Sequence, residues 1–120
     1  MNGVVVAIGG GVGALLRYGV EGAVAPRQRT PFPLSTLVVN LIGSLFLGVL
    51  VGTALDGHVS ARWLLFLGTG IIGGFTTFST FTYETVRLVE DGAWRYVFWN
   101  LLISGPAAFL LAGIGYALAR

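Results

Sequence analysis

Three stretches of this 120-residue sequence, residues 30–55, 63–83 and 96–119, contain no charged side chain, and a fourth runs uncharged from the N-terminal residues up to Arg17. The three hold 26, 21 and 24 residues, each above the roughly 20 that an α-helix needs to cross the hydrocarbon core of a bilayer. Backbone in that core must satisfy its own N–H and C=O groups, so such runs are expected as helices. Only 10% of the residues are charged and 55% are hydrophobic, far from the balance of an average soluble domain. The expectation is an all-α membrane protein with four transmembrane helices, at about residues 3–24, 34–55, 62–90 and 94–119. Residues 1–120 then form a single transmembrane domain with no room for a soluble one.

The composition also excludes classes of chemistry. There is no cysteine and one histidine, which leaves no disulfide, thiolate centre or zinc site. The seven basic residues are all arginine and are scattered, whereas a nucleic-acid partner would call for a clustered basic face. No nucleophile stands beside a base, and the glycine cluster at residues 9–13 lacks the lysine and strand context of a phosphate loop, so no enzyme is expected. The N-terminal stretch lacks a basic leading region and a cleavage site and reads as a retained helix. The expected setting is membrane lipid, and the expected location the cell membrane, crossed several times.

Small and polar residues fall on particular faces. Gly10 and Ala14 are a small pair one turn apart in the first span, which suits close approach of another helix. Thr36, Asn40, Ser44, Gly48 and Gly52 recur every four residues in the second, so that one face passes from polar to small and must meet protein. Asp56-Gly57 is a turn signal, and Pro106 predicts a kink in the last span. The third span is the odd one. Its segment "GIIGGFTTFSTFTYE", residues 70–84, carries paired glycines, four threonines and three phenylalanines, and glycine weakens a helix that β-branched threonine does little to restore. A break is expected at residues 73–77. Broken backbone at membrane depth is tolerated only inside protein or along a cavity, so the segment is either a packing notch or the working centre, as in transporters whose ion sites use broken helices.

Away from their ends the spans contain no Asp, Glu, Lys or His, which removes the proton relays of pumps and coupled transporters. Arg17 and Glu21, four apart, either pair with each other or attract an ion. What remains is neutral: Asn40, Ser44, Thr76, Thr77, Ser79, Thr80, Asn100 and Ser104. Asn100 and Ser104 share one stripe of the last helix, with Tyr116 further along it. Hydroxyls and amides donate and accept alike, so they leave the sign of a ligand open. Phe75, Phe78 and Phe81 recur every three residues; a ring has a positive edge that can face a small anion, although an apolar stripe is more commonly packing. Arg62 and Arg120 fall on one side of the membrane and Arg27, Arg29, Arg87 and Arg95 on the other, a small bias by the positive-inside rule. Both orientations are open, two copies can pair antiparallel, and four short helices hardly enclose a polar path alone.

"GGGVGALLRY", "FPLSTLVVNLIGSLFLG" and above all "GIIGGFTTFSTFTYE" resemble, in order and along essentially the whole chain, the recurring motifs of the Fluc family of fluoride channels, or CrcB-type proteins. The resemblance implies a passive fluoride-selective channel that exports the ion and lessens its toxicity, built as an antiparallel dual-topology homodimer of four-helix subunits with two pores. It implies a fluoride path lined by Phe78 and Phe81, with Asn40 near them and Thr77 and Thr80 in the same block. Ser104 matches a polar track on the last helix, with Asn100 one turn before it and Ala108, lacking a hydroxyl found in some relatives, one turn after. The resemblance further implies one structural sodium ion at the dimer centre, held by backbone carbonyls of the break that map to Gly73 and Thr76. Arg17 and Glu84 match a first-helix arginine and an acidic residue after the motif, as candidates for a vestibule. The rivals are a small dual-topology four-helix multidrug or cation exporter and a non-conducting helper subunit. The first wants an acidic residue deep in the first helix, where this sequence has only Glu21 near the end, and the second leaves the third span unexplained.

Overall fold

The computed structural model describes residues 2–120. Helix α1 (Asn2–Val24) is prolonged by one 3-10 turn (Ala25–Arg27) and followed by α2 (Leu34–Leu55). A third unit is assembled from α3 (Ala61–Leu64), a π-helical stretch (Leu65–Ile72), α4 (Gly73–Phe75) and α5 (Phe78–Glu90), and α6 (Trp94–Leu118) closes the fold. Four units, Asn2–Arg27, Leu34–Leu55, Ala61–Glu90 and Trp94–Leu118, are long and apolar enough to cross a membrane. Their ends fall within three residues of the spans expected from the charge-free runs.

Glycine ends two of the helices. Gly57 and Gly92 have φ of 79° and 70°, a region open to glycine because it has no Cβ. Around the first, the N–H of His58 reaches Thr53 C=O at 3.3 Å and that of Gly57 reaches Ala54 C=O at 3.0 Å; around the second, Ala93 bonds Leu88 at 2.9 Å and Gly92 bonds Val89 at 3.0 Å. Both are Schellman closures, which satisfy carbonyls that a helix end would otherwise leave bare. Pro106 lies inside α6, which runs through it unbroken.

Two pairs of helices pack backbone to backbone. A Cβ on Gly48 would strike the Ala112 carbonyl, and one on Gly115 the Leu45 carbonyl, so α2 and α6 touch through bare main chain. Likewise a Cβ on Gly13 would strike Ile71 C=O and one on Gly74 the Gly10 C=O, which sets α1 against the third unit. Gly10 of the expected Gly10–Ala14 pair meets Gly74, while the fully buried residues of α1 are Gly9 and Gly13. The small side of α2 does meet protein, with Thr36, Gly43, Gly48 and Gly52 buried. Few large side chains are buried; Val39, Leu50, Phe75, Leu88 and Val97 make the core. The outer surface is apolar, as in helices whose association relies on small residues and close packing.

The third unit differs from expectation in where it departs from a helix. Gly73, at φ −61° and ψ −41°, is helical, and Gly74 lies with it in α4. Extended backbone is confined to Thr76 (φ −83°, ψ 161°) and Thr77 (φ −150°, ψ 117°). Glycine's low helix propensity is a property of helices in water, whereas a membrane segment keeps its internal hydrogen bonds wherever it can. A second departure from α-helix lies upstream, eight residues of π-helix between Leu65 and Ile72, the kind of widened turn that recurs at functional sites.

Candidate ion path

The extended pair is held from both sides. Thr76 closes α4, its N–H and its hydroxyl both reaching Ile72 C=O at 2.9 Å. Thr77 opens α5 as its N-cap, with Oγ1 accepting the Thr80 N–H at 3.1 Å, the service a hydroxyl performs for a helix start. Its hydroxyl proton goes to Thr80 Oγ1 at 3.0 Å. Between these caps the Asn40 amide clasps the Thr77 backbone. Asn40 Nδ2 donates to Thr77 C=O at 3.1 Å and Asn40 Oδ1 accepts the Thr77 N–H at 2.9 Å, so a side-chain amide pairs with an extended residue as a neighbouring strand would.

Backbone carbonyls of the preceding turn lose their helical donors in consequence. In a continuous α-helix the N–H of Thr77 would bond Gly73 C=O and that of Thr80 would bond Thr76 C=O. Here those N–H groups go to Asn40 Oδ1 and Thr77 Oγ1. The carbonyls of Gly74 and Phe75, whose helical donors would be Phe78 and Ser79, are released in the same way, so Gly73 and Thr76, the candidate metal residues, are two of four.

Beside the clasp lies a cleft of about 330 Å³, lined by Asn40, Ser44, Thr76, Thr77, Phe78, Phe81, Ser104 and Ala108 among others. None of its lining residues carries a formal charge. The rings of Phe78 and Phe81 stand 6.0 Å apart, tilted by 37°, within the range of an aromatic pair. Phe75 is not with them. It is buried on the far side of the extended pair, facing an apolar cavity of about 570 Å³ between α1, α2 and the π-helical stretch. The three-residue spacing of the phenylalanines is broken by Thr76 and Thr77, so helical register does not carry across.

The other candidates divide. Ser104 lines the cleft, whereas Asn100, 1% exposed, sits behind it. Ser104 donates to Asn100 Oδ1 at 3.0 Å, Asn100 Nδ2 donates to Thr85 Oγ1 at 2.9 Å, and Thr85 donates to Phe81 C=O at 2.7 Å. Thr85 was not among the residues singled out from sequence; no local pattern ties it to a partner 15 positions later. Thr80, whose N–H the Thr77 cap accepts, lies outside the cleft lining. Glu84 accepts a hydrogen bond from the Thr36 hydroxyl, joining α5 to α2. It also lines a smaller cleft of about 270 Å³ with Tyr83, Arg87, Asp91 and the loop prolines Pro31 and Pro33. Arg17 is in none of these clefts. Nor does it form an ion pair with Glu21: among the described residues the one salt bridge joins Arg120 to Asp56 at 3.8 Å.

The family model described as "CrcB-like protein, Camphor Resistance (CrcB)" matches residues 4–116. The chain belongs to the CrcB family. Among curated CrcB-type relatives, a protein of Pyrococcus abyssi named "Fluoride-specific ion channel FluC" is 46% identical over 114 residues, covering 94% of this chain and 91% of that one. Proteins of the same name from Methylobacterium nodulans and Thermus thermophilus are 45% and 43% identical, and each alignment covers at least 94% of both chains. The CrcB match thus spans all four helical units, including the clasp, the ring pair and the Ser104 chain.

Proposed function

We propose that the chain is a passive, fluoride-selective channel of the cell membrane, which lets fluoride leave the cell and so lessens its toxicity. The function is transport without enzymatic chemistry. One observation carries the reading: an uncharged cleft lined together by Asn40, Thr77, Ser104 and the Phe78–Phe81 ring pair, in a chain whose relatives bear the name of fluoride-specific ion channels. In this reading neutral polar groups and ring edges would replace part of a small anion's hydration without a fixed positive charge. Such a charge would bind it too tightly for release, and conduction needs sites that attract and let go.

In this reading two subunits pair antiparallel, each inserted in either orientation. Phe78 is 79% exposed on the single chain, a ring that a second subunit would cover, and the small arginine bias leaves both orientations open. A structural sodium ion at the dimer centre fits the carbonyls of Gly73 and Thr76, whose helical donors are diverted to Asn40 and Thr77. It would supply a positive charge that ties the two interrupted segments together. Glu84, beside Arg87 in the smaller cleft, would stand at a mouth of the path. A cation exporter is disfavoured because Glu21 stands in the last turn of α1 rather than at its centre.

The test is ion efflux from liposomes holding the purified protein, read with a fluoride electrode under a potassium gradient with valinomycin, and repeated with chloride. Rapid fluoride release with negligible chloride release is expected. Folded protein that releases no fluoride would overturn the reading.

A further inference from the structure

The hydrogen-bond chain behind the cleft fixes where one proton points. Phe81 C=O can only accept, so the proton of Thr85, 2.7 Å away, is committed to it. Thr85 Oγ1 can then only accept from Asn100, which orients the amide with its nitrogen toward Thr85 and its oxygen away. That oxygen in turn takes the single hydroxyl proton of Ser104, at 3.0 Å. Of the three polar side chains in this chain only Ser104 lines the cleft, and at rest it offers the cleft lone pairs, the wrong polarity for an anion.

Resting on the channel reading above, we propose that Asn100 is a positioning residue for the ion track. It holds the Ser104 proton away from the cleft at rest, and so sets how tightly that hydroxyl takes a passing anion. Ser104 is a two-position donor, bonded to Asn100 when the cleft is empty and to fluoride when the ion arrives. Breaking a neutral hydrogen bond of ordinary net strength corresponds to roughly a two- to tenfold change in an equilibrium constant. The arrangement therefore weakens the site by about that factor and keeps the ion moving. Thr85, which does not touch the cleft, acts through the same amide by fixing its orientation.

The experiment is fluoride flux against fluoride concentration for Asn100→Leu, Thr85→Val, Ser104→Ala and the double variant Asn100→Leu/Ser104→Ala, each checked for folding by size-exclusion chromatography. Asn100→Leu frees the Ser104 proton and lowers the half-saturating concentration roughly two- to tenfold. Thr85→Val unlocks the amide, moves the value the same way by less, and serves where Asn100→Leu does not fold. On the Ser104→Ala background the Asn100 substitution has no further effect, which a purely structural role would not predict. An unchanged value in both Asn100→Leu and Thr85→Val, or a change that persists without Ser104, overturns the proposal. A second readout is independent of transport: with asparagine labelled with ¹³C at Cγ, the infrared carbonyl stretch attributed to Asn100 rises in frequency in Ser104→Ala. No shift overturns the resting hydrogen bond. A shift in a protein that carries no fluoride places the failure in the channel reading instead.

Discussion

Asn40 holds the backbone of another segment with both ends of its amide. Both pair with Thr77, so a substitution must be judged at each end. Asn40→Asp keeps size and shape but sets a carboxylate oxygen against the Thr77 carbonyl, where Nδ2 now donates. Two acceptors face each other, and a half-buried negative charge is added beside the candidate anion path. The expected result is a loss of about 1–3 kcal/mol in stability, the cost of an unsatisfied buried group, together with near-complete loss of fluoride flux. Thermal unfolding in detergent and liposome efflux check the two effects separately; retained flux would contradict the clasp. The identity of this residue as a site candidate was legible from its polar face on α2. Its partner was not, because a bond between positions 40 and 77 exists only once α2 and the third unit are side by side.

Among the elements, the four spans were legible because a charge-free run long enough to cross a bilayer has few alternatives. The interruption was legible only coarsely. Paired glycines drew attention to residues 73–74, but Gly73 and Gly74 are helical and the extended residues are threonines. The informative pattern was a hydroxyl at Thr77 followed three positions later by Thr80, an N-cap in the middle of an apolar run. Glycine serves close approach here, and that yields a prediction for the α2–α6 pair. Gly115→Leu drives a side chain into the Leu45 carbonyl and toward Val49, whose backbone nitrogen would lie 3.0 Å from the added Cβ. Because rigid main chain must move, destabilisation of about 3 kcal/mol is expected, at the upper end of overpacking costs. Gly113→Leu, with open space around it, is the control and should unfold close to the parent temperature. Equal losses in the two would show that the helices do not meet as described.

For the whole molecule, the proposed assembly makes a prediction about insertion. Glycosylation or thiol-accessibility mapping, with single cysteines placed in the cysteine-free chain, should find each terminus on both sides of the membrane in comparable amounts. A single orientation would remove the antiparallel dimer. The clasp also bears on how such a molecule is made. A chain is synthesised from its N-terminus and its segments emerge in order, so Asn40 is laid down well before Thr77. When Thr77 reaches the lipid, the amide that satisfies its exposed peptide groups is already waiting there. Were the order of the two segments reversed, the bare N–H and C=O of Thr77 would enter the bilayer first and unaccompanied. The sequence order thus works as a schedule, with the receptor for the awkward residue synthesised ahead of the residue itself.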